Sequence, residues 1–328
     1  LPSIFLGVPE EETALSVLPG HRLLLRGEGV EAVLLSVFGS FAALLFSLLL
    51  VPLLLLILVP SYVYIEPWIG WILLVLCAFL ILREKEKFLA FLLFSLSGLL
   101  GIAVFRLPLS QPLFPLLSGL FGVSMLCMSI KRKVLLPPQK HGTLFLEHAW
   151  KAIPGAVIFG SFASFLPGLG PAQAAALCSQ IVKLGEKGFL ILTGGLATTN
   201  LVLSLVTFYL LHKARNGAIV ALSAFMDISF SDLWILLCIA LISGSVATIL
   251  AVFFSRVFSA GIRKVSYTTI SFVVLLFIGI LVFFITGWLG IAVLLVSTSV
   301  GIFAHIQPVA KSHMMGCLLV PVMLYFLL

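Results

Sequence analysis

The fold can be read outward from residues 155–173, Gly155-Ala-Val-Ile-Phe-Gly-Ser-Phe-Ala-Ser-Phe-Leu-Pro-Gly-Leu-Gly-Pro-Ala-Gln173, and from a second polar stretch, Gly194-Gly-Leu-Ala-Thr-Thr-Asn200. A Pro-Gly-x-Gly-Pro break inside an apolar span exposes backbone N–H and C=O groups that lipid cannot satisfy. Such a break is stable only where it faces protein or a water-filled cavity. These stretches therefore predict two interrupted helices that meet near the midplane of a membrane.

The composition indicates an all-α polytopic membrane protein. Of the 328 residues, 62% are hydrophobic and 9% are charged, and the mean hydropathy is +1.27. The apolar runs suit membrane-spanning helices of about 20 residues rather than the alternating strands of about ten residues that form an outer-membrane barrel. The net charge of +7 comes from basic residues that flank the apolar runs, so it indicates orientation in a bilayer and not a nucleic-acid partner.

No residues with the spacing of a catalytic or metal-binding site stand out. The five cysteines are scattered through apolar segments without a C-x-x-C motif, and we expect neither a metal site nor disulfides. The sequence has no H-E-x-x-H motif, Walker loop, dinucleotide-binding fingerprint or nucleophile with a neighbouring base. We therefore predict no catalytic residue, no enzyme activity and no cofactor apart from a coupling ion.

The apolar runs fall into two halves separated by a basic connection. We predict a first repeat at 1–130, a cytoplasmic connection at 131–149 and a second repeat at 150–328. The predicted spans are 31–60, 67–82, 88–105 and 112–130 in the first half, and a broken segment at 150–184 followed by 188–212, 229–258, 267–287, 288–305 and 314–328 in the second.

Sliding the chain against itself supports a repeat. An offset of 188 residues pairs glycines, and an offset of 200 pairs serine, glycine and proline positions at corresponding places in the run order. The pairs are Gly7 with Gly195, Gly29 with Gly217, Ser97 with Ser297, Gly101 with Gly301 and Pro108 with Pro308.

The basic loops predict that the two repeats are inverted. Basic residues at 83–87 and 131–140 place these loops in the cytoplasm. If Arg22 and Arg26 are cytoplasmic as well, the span at 31–60 leaves the cytoplasm. The span at 229–258 ends at the basic residues Arg256, Arg263 and Lys264, so it enters the cytoplasm. This parity makes 150–184 a re-entrant hairpin and 188–212 a crossing. The counterpart of the hairpin then lies before Leu1, and we expect a fragment that lacks about 50 residues at its start.

The break at 167–171 can hold ligands. The half-helix that starts at Pro171 presents N–H groups and the positive end of its dipole to an anion, and the carbonyls of 165–168 can hold Na⁺. The alternative is a packing kink, in which Gly155, Gly160 and Ser164 permit close helix contact.

These residues resemble the large membrane subunit of tripartite tricarboxylate transporters, the TctA family. The resemblance lies in Gly160-x-x-x-Ser164-x-x-Pro167-Gly168-x-Gly170-Pro171 and in the segment from Leu6-Gly-Val-Pro9 to Pro19-Gly-His21, and it is nearest to a shorter, archaeal-type branch. It implies ion-coupled carboxylate uptake together with a small membrane subunit and an extracytoplasmic binding protein. The implied substrate site comprises Ser164, Pro167, Gly168, Gly170, Gln173, Thr198, Thr199 and Asn200 with Gly7, Pro9 and Thr13 of the first half.

Three adjacent carboxylates depart from the family pattern. Glu10, Glu11 and Glu12 stand where small residues usually follow the first-half Gly-x-Pro. They are either helix-cap charges in a first turn or candidates for coupling-ion binding.

We therefore expect a secondary transporter in a prokaryotic, archaeal-type cell membrane, which moves a small organic anion by alternating access with Na⁺ or H⁺ as coupling ion. An intramembrane enzyme or lipid-handling protein, and a gated ion channel, are the alternatives. The sequence leaves the oligomeric state, including a homo-oligomer, open.

Overall fold

The structure is a computed structural model that describes residues 4–5, 17–131, 137, 139, 148–166, 169–212, 216–261 and 267–328. Within these ranges all regular secondary structure is helical, which confirms the all-α fold. The predicted site residues Gly7, Pro9, Glu10, Glu11, Glu12, Thr13, Pro167 and Gly168 lie outside the described residues.

The α-helices are α1 (Val17–Leu25), α2 (Gly29–Ile65), α3 (Ile69–Leu82), α4 (Lys87–Phe105), α5 (Leu113–Leu117), α6 (Ser124–Lys131), α7 (Ala149–Phe165), α8 (Pro171–Ile181), α9 (Gly185–Leu211), α10 (Gly217–Ser223), α11 (Phe230–Gly261), α12 (Tyr267–Ile306) and α13 (Gly316–Leu327). A π-helical segment, Ser118–Val123, joins α5 to α6, and 3₁₀ turns cover Glu66–Trp68 and Lys311–Met315.

Among the described residues, five helical stretches are long and apolar enough to cross a membrane. They are Gly29–Leu56, Lys87–Phe105, Gly185–Leu211, Phe230–Gly261 and Ser271–Ile306. The chain is therefore a multi-pass membrane protein. Helix α12 changes direction at Gly287, whose φ of 67° and ψ of −160° are not helical, and this position is the predicted boundary between the runs at 267–287 and 288–305.

The described chain forms two compact units, and each of them combines parts of both sequence halves. The first unit takes its residues from 1–29, 70–140 and 258–328, and the second from 30–69 and 141–257. The repeat boundaries at 130 and 150 remain a prediction.

In the first unit, α4 packs on α13, and α12 packs on the helical stretch 113–131. Ser97 Oγ donates to the His313 carbonyl at 3.1 Å, and Ser297 Oγ donates to the Pro115 carbonyl at 3.2 Å. A Cβ on Gly101 would overlap the carbonyl oxygen of Cys317, and one on Gly301 would overlap that of Leu120. Contacts at positions 97 and 101 thus recur about 200 residues later.

The turn between α12 and α13 is held by charged side chains of the same unit. Glu84 Oε1 accepts a hydrogen bond from the Ala310 N–H at 2.7 Å and lies 3.4 Å from Nε2 of the buried His313. Lys311 Nζ donates to the carbonyls of Ala304, Gln307 and Val309, which closes the end of α12. These contacts satisfy carbonyls that the end of a helix leaves unpaired.

The second unit is built around α9. Helix α7 packs along α9, and α8 packs on both. Helix α2 also runs along α9, because contacts between them advance in the same direction on both helices, from Glu31 with Lys187 to Ser40 with Gly194 and Ser47 with Thr199. The two helices are therefore parallel neighbours.

Candidate functional site

The predicted break after α7 is present. The helix ends at Phe165, Leu166 is extended, and α8 begins at Pro171 after the extended residue Gly170. Proline forces the residue before it out of the helical region and is well suited to the first position of a helix. The structure thus confirms the interruption within 150–184 that the Pro-Gly pattern predicts.

Ser164 and Asn200, two of the predicted site residues, meet beside this break. The side chain of Ser164 is 1% exposed, and its Oγ lies 2.8 Å from the Gly160 carbonyl and 3.2 Å from Asn200 Oδ1. One hydroxyl proton serves one of these acceptors at a time. The close approach depends on Gly160, where a Cβ would lie 2.8 Å from Thr199 Cγ2.

The second predicted interruption is wrong. Helix α9 is continuous from Gly185 to Leu211, so Thr198, Thr199 and Asn200 lie in mid-helix and do not cap a helix start. The glycines serve packing: a Cβ on Gly194 would overlap the Ser36 carbonyl, and one on Gly195 would lie 2.7 Å from the Ala156 Cβ.

Hydroxyls in this part of α9 are satisfied without a break. Thr198 Oγ1 donates to the Gly194 carbonyl at 3.3 Å, and Ser47 Oγ on α2 donates to Thr199 Oγ1 at 3.0 Å. Threonine can bond back to the preceding turn of its own helix, so a polar cluster need not end it.

Gly170 and Gln173 lie at the start of α8. Gln173 is buried, and a Cβ on Gly170 would lie 3.0 Å from Gln173 Oε1, so the amide side chain folds back over the first turn. The first turn of a helix presents N–H groups that have no partner within the helix and carries the positive end of the dipole. This end of α8 can accept an anion.

A cavity of about 440 Å³ opens on the other side of α9. It is lined by Val37, Ser40, Phe41 and Leu44 of α2, Thr198 and Leu201 of α9, and Ala240, Ser243, Gly244, Ala247, Thr248 and Ala251 of α11. Of the predicted site residues, Thr198 faces this cavity, while Thr199 bonds α2 and Asn200 contacts α7.

Four hydroxyls give the cavity its polarity. Ser40 and Thr198 both donate to the Gly194 carbonyl, Ser243 donates to the Ala240 carbonyl, and Thr248 donates to the Gly244 carbonyl. In this arrangement the hydroxyls present lone pairs to the cavity. None of the lining residues is charged.

The cavity lies at the depth expected of a transport site. Thr198 is at the midpoint of α9, Gly244 is near the midpoint of α11, and Phe41 is near the middle of the apolar stretch Gly29–Leu56. Substrate sites of secondary transporters typically lie near the bilayer midplane.

The sequence interpretation missed Ser40, Ser47, Ser243 and Thr248. A signal was present in α11, where small residues recur at 240, 243, 244, 247, 248 and 251, the spacing of one helical face. In α2, the serines are separated by large apolar residues, and nothing in the pattern distinguishes them from residues that pack against a neighbouring helix.

Comparisons with known proteins agree with the resemblance. The sequence model of the "Tripartite tricarboxylate transporter TctA family" matches residues 1–316. An uncharacterized protein of Methanocaldococcus jannaschii, MJ1079, is 32% identical over 343 residues, which cover 100% of this chain and 84% of that protein. No solved structure matches the chain.

Proposed function

Because the chain belongs to the tripartite tricarboxylate transporter TctA family, we propose that it carries a small carboxylated anion across a prokaryotic cell membrane by alternating access, coupled to Na⁺ or H⁺. The family consists of transporters and not of enzymes, so the chain is a membrane component of a secondary transporter. A small membrane subunit and an extracytoplasmic binding protein are its proposed partners. The archaeal relative supports a prokaryotic membrane.

The observation that carries the proposal is the hydroxyl-lined cavity halfway along three apolar helices. Polar groups are costly in the hydrocarbon region and are retained there where they line a pathway or bind a neighbouring helix. A void of this size in the same place suits a solute of a few carbon atoms.

The chemistry of the lining constrains how a carboxylate can bind there. Because each of the four hydroxyls donates its proton to a helix carbonyl, each can only accept a hydrogen bond from a solute in the cavity. No lining side chain carries a positive charge. A carboxylate in this cavity needs a cation beside it or hydroxyls that turn away from their helix carbonyls. Binding with a cation removes the cost of an isolated charge in a region of low dielectric.

The recurring contacts of the first unit support two repeated halves. Ser97 and Gly101 make contacts that match those of Ser297 and Gly301. Inverted repeats that exchange equivalent conformations are a common basis of alternating access.

The test is flux into proteoliposomes that contain the complete transporter with its partners, using a panel of di- and tricarboxylates. Thr248→Val removes a cavity hydroxyl, and we expect kcat/KM to fall by about tenfold or more. The matched control is Thr286→Val, because Thr286 Oγ1 makes the same bond to the preceding turn, 2.7 Å to the Val282 carbonyl, away from the cavity.

A second pair of variants tests the space itself. Ala247→Leu fills the cavity and should abolish flux in a folded protein, whereas Val246→Leu, at the neighbouring position outside the cavity lining, should not. If Ala247→Leu transports at the wild-type rate, the cavity is not the substrate site. If no carboxylate of the panel is transported, the proposed function is wrong.

A further inference from the structure

Glu31 and Lys187 form an ion pair between the first turns of α2 and α9 in the second unit. Glu31 Oε1 lies 2.6 Å from Lys187 Nζ, and the side chains are 6% and 37% exposed. The pair therefore has one buried and one partly accessible member.

Glu31 is unusual within the part of the chain that the structure describes. It is the one Asp, Glu, Lys or Arg residue there that is buried. Burying a carboxylate costs several kcal/mol, and an ion pair often does no better than repay that cost. Ionisable residues in membrane helices commonly mark pathways for ions or protons.

The pair lies on two of the three helices that line the cavity, and these two helices supply two of its four hydroxyls. Ser40 is nine residues beyond Glu31 and Thr198 is eleven beyond Lys187, so the pair lies about 14–17 Å from the cavity along the parallel helices. Between them, α2 and α9 touch closely, because a Cβ on Gly39 would overlap the Ile191 carbonyl. Separation of α2 and α9 at this end pulls the ion pair apart.

We propose that Glu31 is the coupling site and that it carries a proton during the transport cycle. When α2 and α9 part, Glu31 loses the positive charge beside it and binds a proton from water on one side of the membrane. When the helices close again, the ammonium group of Lys187 takes the place of that proton, which leaves to water on the other side. One proton therefore crosses the membrane per cycle.

A proton fits this position better than a sodium ion. Sodium needs several oxygen ligands together, whereas the Glu31 carboxylate accepts a hydrogen bond from an ammonium group. Among the described residues, other charged or titratable groups close to this end include Lys183 and Glu186 near Lys187 in the sequence, Arg26 and Glu28 before α2, and His148, whose Cβ would lie 3.0 Å from a Cβ on Gly188. The inference rests on the proposed function and assigns its coupling ion.

The test compares net uptake with exchange in proteoliposomes of the complete transporter, using radiolabelled citrate or whichever carboxylate of the panel is transported. In the wild type, a proton gradient at constant Na⁺ should drive accumulation. Glu31→Gln should lose accumulation by about tenfold or more and retain exchange of labelled for unlabelled substrate, which needs no net proton movement. Asp232→Asn, an exposed carboxylate in the first turn of α11, is the control and should behave as wild type.

The double variant Glu31→Gln with Lys187→Gln removes both charges and leaves no unpaired lysine. It replaces the single variant in this test if Glu31→Gln alone does not fold. It should show the same loss of accumulation with retained exchange. Equal loss of exchange and accumulation indicates a purely structural pair and overturns the inference. Accumulation that is driven by a Na⁺ gradient and is insensitive to a proton gradient also overturns the inference. The proposed function stands in that case.

Infrared difference spectra between acidic and neutral pH give a reading that needs no substrate. A protonated carboxyl band that appears on acidification in wild type and is missing in Glu31→Gln supports the assignment. Absence of this band in wild type overturns it. If no carboxylate crosses the membrane, the proposed function fails, and these spectra still decide whether Glu31 binds a proton.

Discussion

At the scale of single residues, His313 links the structure to pH. Burial lowers the pKa of His313 below its usual range, and nearby Glu84 offsets part of this effect. The unfolded chain takes up a proton below a pH of about 6.5, whereas the folded protein does so at a lower pH. The contribution of His313 to stability is therefore complete above the unfolded pKa and is lost as the pH falls below it.

We expect acid to lower the thermal unfolding midpoint in detergent, and His313→Gln to reduce this dependence below about pH 6.5. His148→Gln is the control, since His148 is only partly buried. An equal acid dependence in wild type and His313→Gln contradicts this role of His313.

Two glycines of α12 allow the cost of a left-handed backbone conformation to be measured without a steric clash of the added side chain. No atom lies within 4 Å of a Cβ added at Gly279 or at Gly287, but Gly287 has a φ of +67°. A non-glycine residue in that conformation costs about 1–3 kcal/mol. We therefore expect Gly287→Ala to lower the thermal midpoint and Gly279→Ala to leave it unchanged or raise it, whereas equal effects of the two substitutions argue against the bend at Gly287.

At the scale of helices, the matching contacts of α4 and α12 predict matching sensitivities. Alanine at Gly101 or at Gly301 would place a Cβ on a backbone carbonyl of the neighbouring helix, which cannot move away as a side chain can. Each substitution should destabilise the protein by about 1–3 kcal/mol. Thermal unfolding of both variants beside Gly279→Ala checks this, and a large effect at one glycine alone contradicts the equivalence of the two contacts.

Cross-linking tests the parallel packing of α2 and α9. With the five native cysteines replaced by alanine, Ser47→Cys and Thr199→Cys should form a disulfide under mild oxidation, because Ser47 Oγ and Thr199 Oγ1 are 3.0 Å apart. Ser47→Cys with Thr207→Cys, about 12 Å further along α9, should not. Cross-linking of the second pair in preference to the first contradicts the register.

The two polar stretches show where sequence reasoning succeeds at this scale. Around Pro171 the covalent structure of proline excludes a continuous helix, so the interruption before α8 could be predicted from local chemistry. Gly194 and Gly195 only weaken a helix, and tertiary packing against α2 and α7 holds α9 intact. Such packing depends on residues 39 and 158 positions away, Ala156 and Ser36, which a local pattern does not reveal.

At the scale of the whole molecule, the offset of 200 residues found in the sequence recurs in the contacts. Ser97 and Ser297 could be paired from the sequence. Ser97 binds the backbone of the 3₁₀ turn before α13, and Ser297 binds the backbone of α5. The composition of the two compact units could not be predicted, because each gathers segments from both halves. Hydropathy gives the order of spans along the chain and carries no information about which spans become neighbours.

The inverted arrangement of the halves remains a prediction that labelling can test. If α2 leaves the cytoplasm and α11 enters it, cysteines at Arg26 and Gly261 should react with a membrane-impermeant maleimide from the cytoplasmic side, and those at Trp68 and Asn216 from the outside. These positions flank α2 and α11, so they report the direction of each long helix separately. The contrary outcome is that Arg26→Cys reacts from the cytoplasm, Gly261→Cys from the outside and Asn216→Cys from the cytoplasm. The helices α2 and α11 then run in the same direction. In that case the repeats are parallel and are related by an axis along the membrane normal, so alternating access must come from rocking of one half against the other rather than from an exchange of conformations between inverted halves.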